Sequence, residues 1–417
     1  MATPTLALIP TGYKAGKLYS VLPESGVGDF TVVRATEATR VNEEGLIETM
    51  GANVPRLDYS GGGCPVLLTE GQRTNLLPYS SDFSNASWDT SRIETPYISG
   101  VVSPDGTLNA YTLEMSSGQT NGGGVFKTGI SISGDNSFSV FAKKKTSKYL
   151  ALGDTGLTSN AVYFDLENGV VGTTYNATGE IQDFGNGWYR CTMKYTLTSS
   201  NAKFIYQSNI DGTTLGGVVG GDSIYIYGAQ LEAGSYPTSY IKTEGSAVTR
   251  NGDQVFGAGD ASTFNDSEGV LMVDISALAA APTRAITIGD GTNSNRIQFY
   301  YNSSNVLNGN VINVGSQVTG FSYSGDSNIP NKVALKYKVN DFSFWVNGFK
   351  IAVDTNGITP VGLNELQFNN GAGASPFYGK TSQIQYFNTV LTDSELETLT
   401  SWTSFIEMAQ AQNYNII

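Results

Sequence analysis

The side chains expected to carry acid–base chemistry near neutral pH in this 417-residue chain are carboxylates, because it holds 37 Asp and Glu and no histidine. A Ser–His–Asp or Cys–His nucleophile pair, a His-ligated zinc and an imidazole proton shuttle are therefore excluded. What remains is the two-carboxylate chemistry of glycoside hydrolysis, which needs a pair facing across roughly 5–9.5 Å. Asp154, Asp165, Glu167, Glu180 and Asp183 are the candidates, but most are flanked by Gly, Asn or Thr. Those are turn and capping neighbours, so the expectation is a solvated turn or cap role, no catalytic residue and no enzyme. Cys64 and Cys191 form no CxxC or other metal spacing and are expected as buried small hydrophobes.

Binding chemistry is a better match. Lys and Arg number 24, which leaves a net charge of −13. Such a surface repels phosphates, so nucleic acid is not an expected partner. No organic cofactor is expected. A structural calcium ion would suit an acidic chain. Gly289-Asp-Gly-Thr-Asn293 and the loop from Asp260 to Asp266 are oxygen-rich, but neither is an Asp-x-Asp-x-Asp-Gly loop and no ligand set is named. Glycan recognition would use exposed aromatics, with Trp345 as the sharpest candidate and Trp88, Tyr97 and Tyr149 behind it. In Asn340-Asp-Phe-Ser-Phe-Trp-Val346, alternation puts Phe342, Phe344 and Val346 on one face and Trp345 on the other. Trp345 is thus open to three readings: a sugar platform, a subunit interface or local packing.

The elements that position these residues are strands. Charged residues are 15%, hydrophobic residues 40%, and there are 49 glycines, a composition of short strands and tight turns. Ser137-Phe-Ser-Val-Phe-Ala142 and Asp222-Ser-Ile-Tyr-Ile-Tyr227 alternate as strands do, and Asn347-Gly348 predicts a hairpin. Thr392-Asp-Ser-Glu395 is a capping box that predicts a helix carrying Leu396 and Leu399, with further helical turns through Phe405, Ile406 and Met408.

Texture divides the chain into three. Residues 1–74 are charged and too poor in apolar sequence for a core of their own, and are expected as an extended anchoring or wrapping arm docked on a neighbour. Residues 75–243 and 244–417 each carry enough strands for an antiparallel sandwich. The expected fold is all-β: an N-terminal arm, two antiparallel β-sandwiches and a short C-terminal helix. Arg34-Ala-Thr-Glu-Ala-Thr-Arg40 is faintly echoed by Thr243-Glu-Gly-Ser-Ala-Val-Thr-Arg250. The first ten residues lack a basic stretch followed by an apolar one, so no signal peptide is expected. No run of about 18 apolar residues predicts membrane insertion.

Phe30-Thr-Val-Val-Arg-Ala-Thr-Glu-Ala-Thr-Arg-Val-Asn-Glu-Glu-Gly-Leu-Ile-Glu48 and Cys64-Pro-Val-Leu-Leu-Thr-Glu-Gly-Gln-Arg-Thr-Asn-Leu77 resemble linked motifs of tailed-bacteriophage virion proteins. This chain has Glu70-Gly71 where that family commonly has Glu-Pro. Tyr79-Ser-Ser-Asp-Phe-Ser-Asn-Ala-Ser-Trp88, Asn186-Gly-Trp-Tyr-Arg190 and Tyr227-Gly-Ala-Gln-Leu-Glu-Ala-Gly-Ser-Tyr-Pro-Thr-Ser-Tyr-Ile241 resemble the jelly-roll, carbohydrate-binding-module-like domain of phage fibres and tail proteins. Tyr378 to Leu396 is similar to the closing strand and helix of concanavalin-like (laminin-G-like) sandwiches.

The resemblance implies a fibre or appendage of the tail or head, made in the bacterial cytoplasm and located on the virion. Its implied partners are capsid, portal or tail proteins, itself as a homotrimer, and a host-surface glycan. It also implies structural roles for Arg34, Arg40, Arg73, Asn75, Trp188, Gln230 and Glu232. Trp188 is expected in a core, and Arg73-Thr-Asn75 as a backbone-bonding clamp. The alternatives are a polysaccharide-degrading tail spike, which the missing histidines and missing repeated rungs disfavour, and a bacterial surface adhesin, which the missing signal peptide disfavours.

Overall fold

The computed structural model describes residues 2–197, 202–278 and 282–402. Apart from one short helix, the regular structure of the described residues is antiparallel strand. The chain forms two units, and neither is a continuous stretch. The first comprises Met1–Glu37, Met50–Gly71 and Asn251–Ile417; the second comprises Ala38–Thr49 and Gln72–Arg250.

The second unit is a sandwich of two six-stranded sheets. One runs in the order Asp89–Ser91, Gly124–Lys127, Lys203–Ser208, Tyr149–Asp154, Ala161–Asp165 and Val170–Tyr175. The other runs Tyr97–Ile98, Tyr111–Glu114, Ser223–Ala233, Gly134–Lys144, Trp188–Leu197 and Thr178–Asp183. Alternation turns Leu150, Leu152, Val162, Phe164 and Ile205 of the first sheet, and Phe138, Val140, Met193, Ile224 and Ile226 of the second, into one core cluster.

The outer face of the second sheet carries its own cluster of Phe141, Trp188, Tyr227 and Tyr240. Over that face runs the 99–109 loop, tied down by Asp105. Its carboxylate accepts hydrogen bonds from the Ser103 hydroxyl (2.7 Å), the Thr107 amide (2.9 Å) and hydroxyl (2.8 Å), Asn109 Nδ2 (2.9 Å) and the Tyr227 hydroxyl (2.8 Å).

The first unit pairs an eight-stranded sheet with a five-stranded one. Leu6, Leu8, Leu18, Phe30, Val32, Leu57 and Leu67 sit in the same core cluster as Leu271, Ile286, Phe299, Leu335 and Phe344. The first 74 residues are therefore not a separate arm. Leu6–Leu8 and Val66–Thr69 both pair with Gly379–Phe387, and Phe30–Val33 pairs with Gln254–Phe256. The hairpin strands Ala38–Val41 and Ile47–Met50 fall largely within the second unit. The segment, too apolar-poor for a core of its own, places its few large apolar side chains in a core built mostly by residues from Val255 onward. The chain passes between units four times, after residues 37, 49, 71 and 250, and the last two stand against the expected limits of 74 and 243.

A buried charge cluster locks these distant segments. Arg34 Nη1 lies 2.9 Å from Asp253 Oδ1, Arg56 Nη1 lies 2.6 Å from Glu70 Oε2, and Arg56 Nη2 also bonds Asp253. Burial opposes the Arg56 charge, but Asp253 and Glu70 outweigh it and hold the guanidinium protonated beyond its usual range. The faint sequence echo marks this same place: the Thr36 hydroxyl accepts a hydrogen bond from the Asn251 amide at 2.9 Å.

The capping box forms as expected, starting helix α1 (Asp393–Thr400) with Thr392 as its cap and Glu395 closing it. The further turns expected through Phe405, Ile406 and Met408 lie outside the described residues. Asn347 and Gly348, at φ 51° and 86°, make the expected hairpin turn.

Candidate functional site

A hollow on the second unit lies where the ends of three strands of its second sheet meet two turns. The 134–144 strand contributes Asp135. The turn into the Thr178–Asp183 strand contributes Asn176, Ala177 and Thr178. The Trp188–Leu197 strand contributes Lys194, Tyr195 and Thr196, and Ser235 follows the Ser223–Ala233 strand. These residues line an open hollow of about 570 Å³, within the volume range of small-ligand sites.

Register puts them together: Thr178 pairs with Lys194, and Asp135 pairs with Thr196. Asn176 sits at φ 44°, a left-handed position that Asn tolerates. Its Nδ2 donates to the Ser159 carbonyl at 2.7 Å, which fixes the turn. The Thr196 hydroxyl donates to Asp135 Oδ1 at 2.6 Å, and Lys194 Nζ donates to Glu180 Oε2 at 3.1 Å. The hydroxyls of Thr178 and Ser235 belong to exposed residues.

Beneath the rim, Tyr195 is buried with the pair Lys203–Asp154, whose charged atoms are 3.0 Å apart and whose side chains are fully enclosed. Burial first, then the Asp154 charge, pushes the Tyr195 phenol far up, so it is neutral at any working pH. Burial also lowers the Lys203 ammonium, an effect that Asp154 partly offsets. Chemically the hollow offers an amide, an amine, hydroxyls and one lining carboxylate. That is a set for exchanging hydrogen bonds with a polyhydroxylated ligand.

None of the aromatics expected to bind sugar lines this hollow. Trp345 is 4% exposed, packed with Met272, Ala334, Phe387, Leu396 and Leu399. It does point away from the main core, as alternation requires, but α1 covers that face, so it offers no sugar platform. Trp88 is likewise a core residue, its Nε1 donating to the Tyr79 carbonyl at 3.1 Å. Tyr97 is 45% exposed on a sheet edge, its hydroxyl 3.0 Å from Glu114.

Tyr149 is half-buried on the outer face of the first sheet, beneath the Lys148 ammonium. One row across that face reads Phe126, Phe204, Gly153, Ala161, Tyr175, and the next reads Tyr206, Ala151, Tyr163. Leu157 packs against this strip, and Tyr163 and Ala151 are fully buried. Phe126, Phe204 and Tyr175 at its margin are half-buried.

The motif residues hold backbone together. Asn75 is fully buried; its Nδ2 donates to the carbonyls of Ala229 (3.0 Å) and Ile241 (2.8 Å), and its Oδ1 accepts from the amides of Leu77 (3.2 Å) and Leu231 (3.0 Å). Arg73 stacks over Tyr236 and against Gly234, where φ is 133° and a side chain would collide with the guanidinium. Gln230 Oε1 accepts from the Ile241 amide, and Glu232 accepts from the Thr238 amide and hydroxyl. Trp188 Nε1 donates to the Val102 carbonyl at 2.9 Å. Arg40 pairs with Glu48 across its hairpin.

Two expectations about reactive groups change. Asp154 is not a solvated turn residue but half of a buried ion pair. Cys64 is exposed, while Cys191 is buried. Cys64 lines a hollow of about 390 Å³ in the first unit, near Lys380, whose Nζ is 2.7 Å from the Ser60 hydroxyl. Asp165, Asp183, Asp260 and Asp290 cap their own turns through backbone amides. Glu167 and Glu180 pair with lysines. Among the described residues no group of three or more Asp, Glu, Cys or His is placed to share a metal ion.

No family model and no curated protein matches this chain. Solved structures that it resembles include the CBM40 of Ruminococcus gnavus IT-sialidase bound to α2,3-sialyllactose. That likeness covers 34% of this chain and 92% of the other, at 18% identity and a TM-score of 0.30. A putative carbohydrate binding protein from Bacteroides ovatus matches 78% of this chain and 84% of its own, at 12% identity and a TM-score of 0.27. Domains LG4-5 of the mouse laminin α1 chain match 68% of this chain and 86% of their own, at 9% identity and a TM-score of 0.16. At these identities and TM-scores they carry no residue, ligand or activity over to this chain.

Proposed function

We propose that this chain is a non-enzymatic glycan-binding protein that works by display, and that the hollow of the second unit receives the glycan. The observation that carries the proposal is the lining: Asn176, Thr178, Lys194, Thr196, Ser235 and Asp135 converge on about 570 Å³. Sugars are recognised by just such dense, alternating donors and acceptors. Hydrolysis would need a second carboxylate facing Asp135; Asp135 is the one carboxylate among the residues lining the hollow, and Glu180 beside it is held in an ion pair with Lys194.

The finer part of the proposal, a tail or head fibre or appendage of a bacteriophage, is supported by the linked motifs of residues 30–77 and 227–241. The homotrimer and the structural calcium belong to that finer part. The trimer draws no support from an extended arm, because Leu6–Leu8, Phe30–Val33 and Val66–Thr69 pair with strands of this chain.

A glycan array probed with wild type and with Thr178→Ala/Lys194→Ala tests the main statement. Binding to a defined set of glycans that drops about tenfold or more in the double variant is expected, the double variant losing two hydrogen-bonding groups. No binding by wild type, or binding indifferent to both substitutions, overturns it. Immunogold labelling of phage particles tests the virion placement, and light scattering on the pure protein tests the trimer.

A further inference from the structure

We infer that the hollow selects neutral glycans, such as hexoses and N-acetylhexosamines, over acidic ones such as sialic acids and uronates. The inference rests on the glycan-binding reading of the same site and adds the class of ligand. Its basis is the balance of charge. The cation of the lining, Lys194, is held 3.1 Å from Glu180, so its charge is already answered. Asp135 stands on the lining with its Oδ1 engaged by the uncharged Thr196 hydroxyl. Beneath them the enclosed Lys203–Asp154 pair cancels itself. Lys194, Glu180 and Asp135 therefore present one net negative charge to whatever enters.

A ligand carboxylate would meet that charge at short range without an unanswered cation to hold it. A neutral sugar meets no such penalty. A carboxylate is an acceptor only and receives sugar hydroxyls well, while a lysine ammonium has three donors, of which Glu180 uses one. Discrimination of this kind comes from a repulsive group as much as from attractive ones.

Titration calorimetry on the full chain tests this with four probes: N,N′-diacetylchitobiose, lactose, 3′-sialyllactose and a glucuronate-containing disaccharide. At least one neutral probe is expected to bind about tenfold or more tightly than either acidic probe. Asp135→Asn, an exposed position where circular dichroism should be unchanged, is expected to move that ratio toward the acidic probes. Tighter binding of an acidic probe by wild type, abolished by Lys194→Ala, overturns the neutral preference but leaves glycan binding standing. A ratio unmoved by Asp135→Asn also overturns it. Failure of all four probes and of the array defeats both statements together.

Discussion

Asp105 shows how much one partly buried carboxylate can hold. Burial alone would raise its pKa, yet the hydrogen bonds from Ser103, Asn109 and Thr107 outweigh burial and keep it below the ordinary carboxylate value. A depressed folded-state pKa contributes stability that is present above the unfolded value, near 4, and is lost as pH falls through the folded value. Asp105→Asn is therefore expected to cost about 2–3 kcal/mol at pH 7, since hydrogen bonds to a charged group are worth about 1.5–3 kcal/mol each and Asn keeps some of them. The gap to wild type should close as pH falls below about 4. Urea melts from pH 7 to pH 2.5 check both points, and a gap that stays constant would refute the charge argument. The same carboxylate meets the Tyr227 phenol, which burial, then Tyr240 and Asp105, push far up, so Tyr227 remains a donor throughout that range.

At the scale of elements, what could be read from the sequence was local. Asn347-Gly348 and the Thr392–Glu395 capping box are signals contained within four residues, and both elements form where expected. The long alternating strands at Ser137–Ala142 and Asp222–Tyr227 also fall in a sandwich. What stayed hidden was pairing across distance. Leu6–Leu8 lies against Ile384–Tyr386, and nothing within the first ten residues announces that partner. Trp345 stayed ambiguous for the same reason, because alternation gives a face but not the helix that covers it. The hollow was illegible because Thr178, Thr196 and Ser235 are ordinary strand-end residues, and only sheet register makes neighbours of them. The Leu6–Leu8 strand supplies the test at this scale. Leu8 is fully buried, so Leu8→Ala should cost about 2–5 kcal/mol. A loss below 0.5 kcal/mol by denaturant titration would mean that this strand does not contribute to the core.

At the scale of the whole molecule, two cores imply two cooperative transitions. Leu8→Ala should lower the calorimetric transition of the first unit, Asp105→Asn that of the second, each leaving the other within about 1 °C. A single transition moved by both substitutions would contradict two separate cores. The chain's interleaved path also sets an order of events during synthesis. All of the second unit's residues have been made by Arg250, whereas Thr69 bonds the carbonyl of Gly379 across 310 positions. At about 5–20 residues per second, Val66–Thr69 waits some 15–60 s and Leu6–Leu8 some 20–75 s for their common partner, Gly379–Phe387, to leave the ribosome. Through that interval Leu6 and Leu8 are apolar side chains without their sheet, so the nascent chain of the first unit is the state most open to edge-to-edge aggregation.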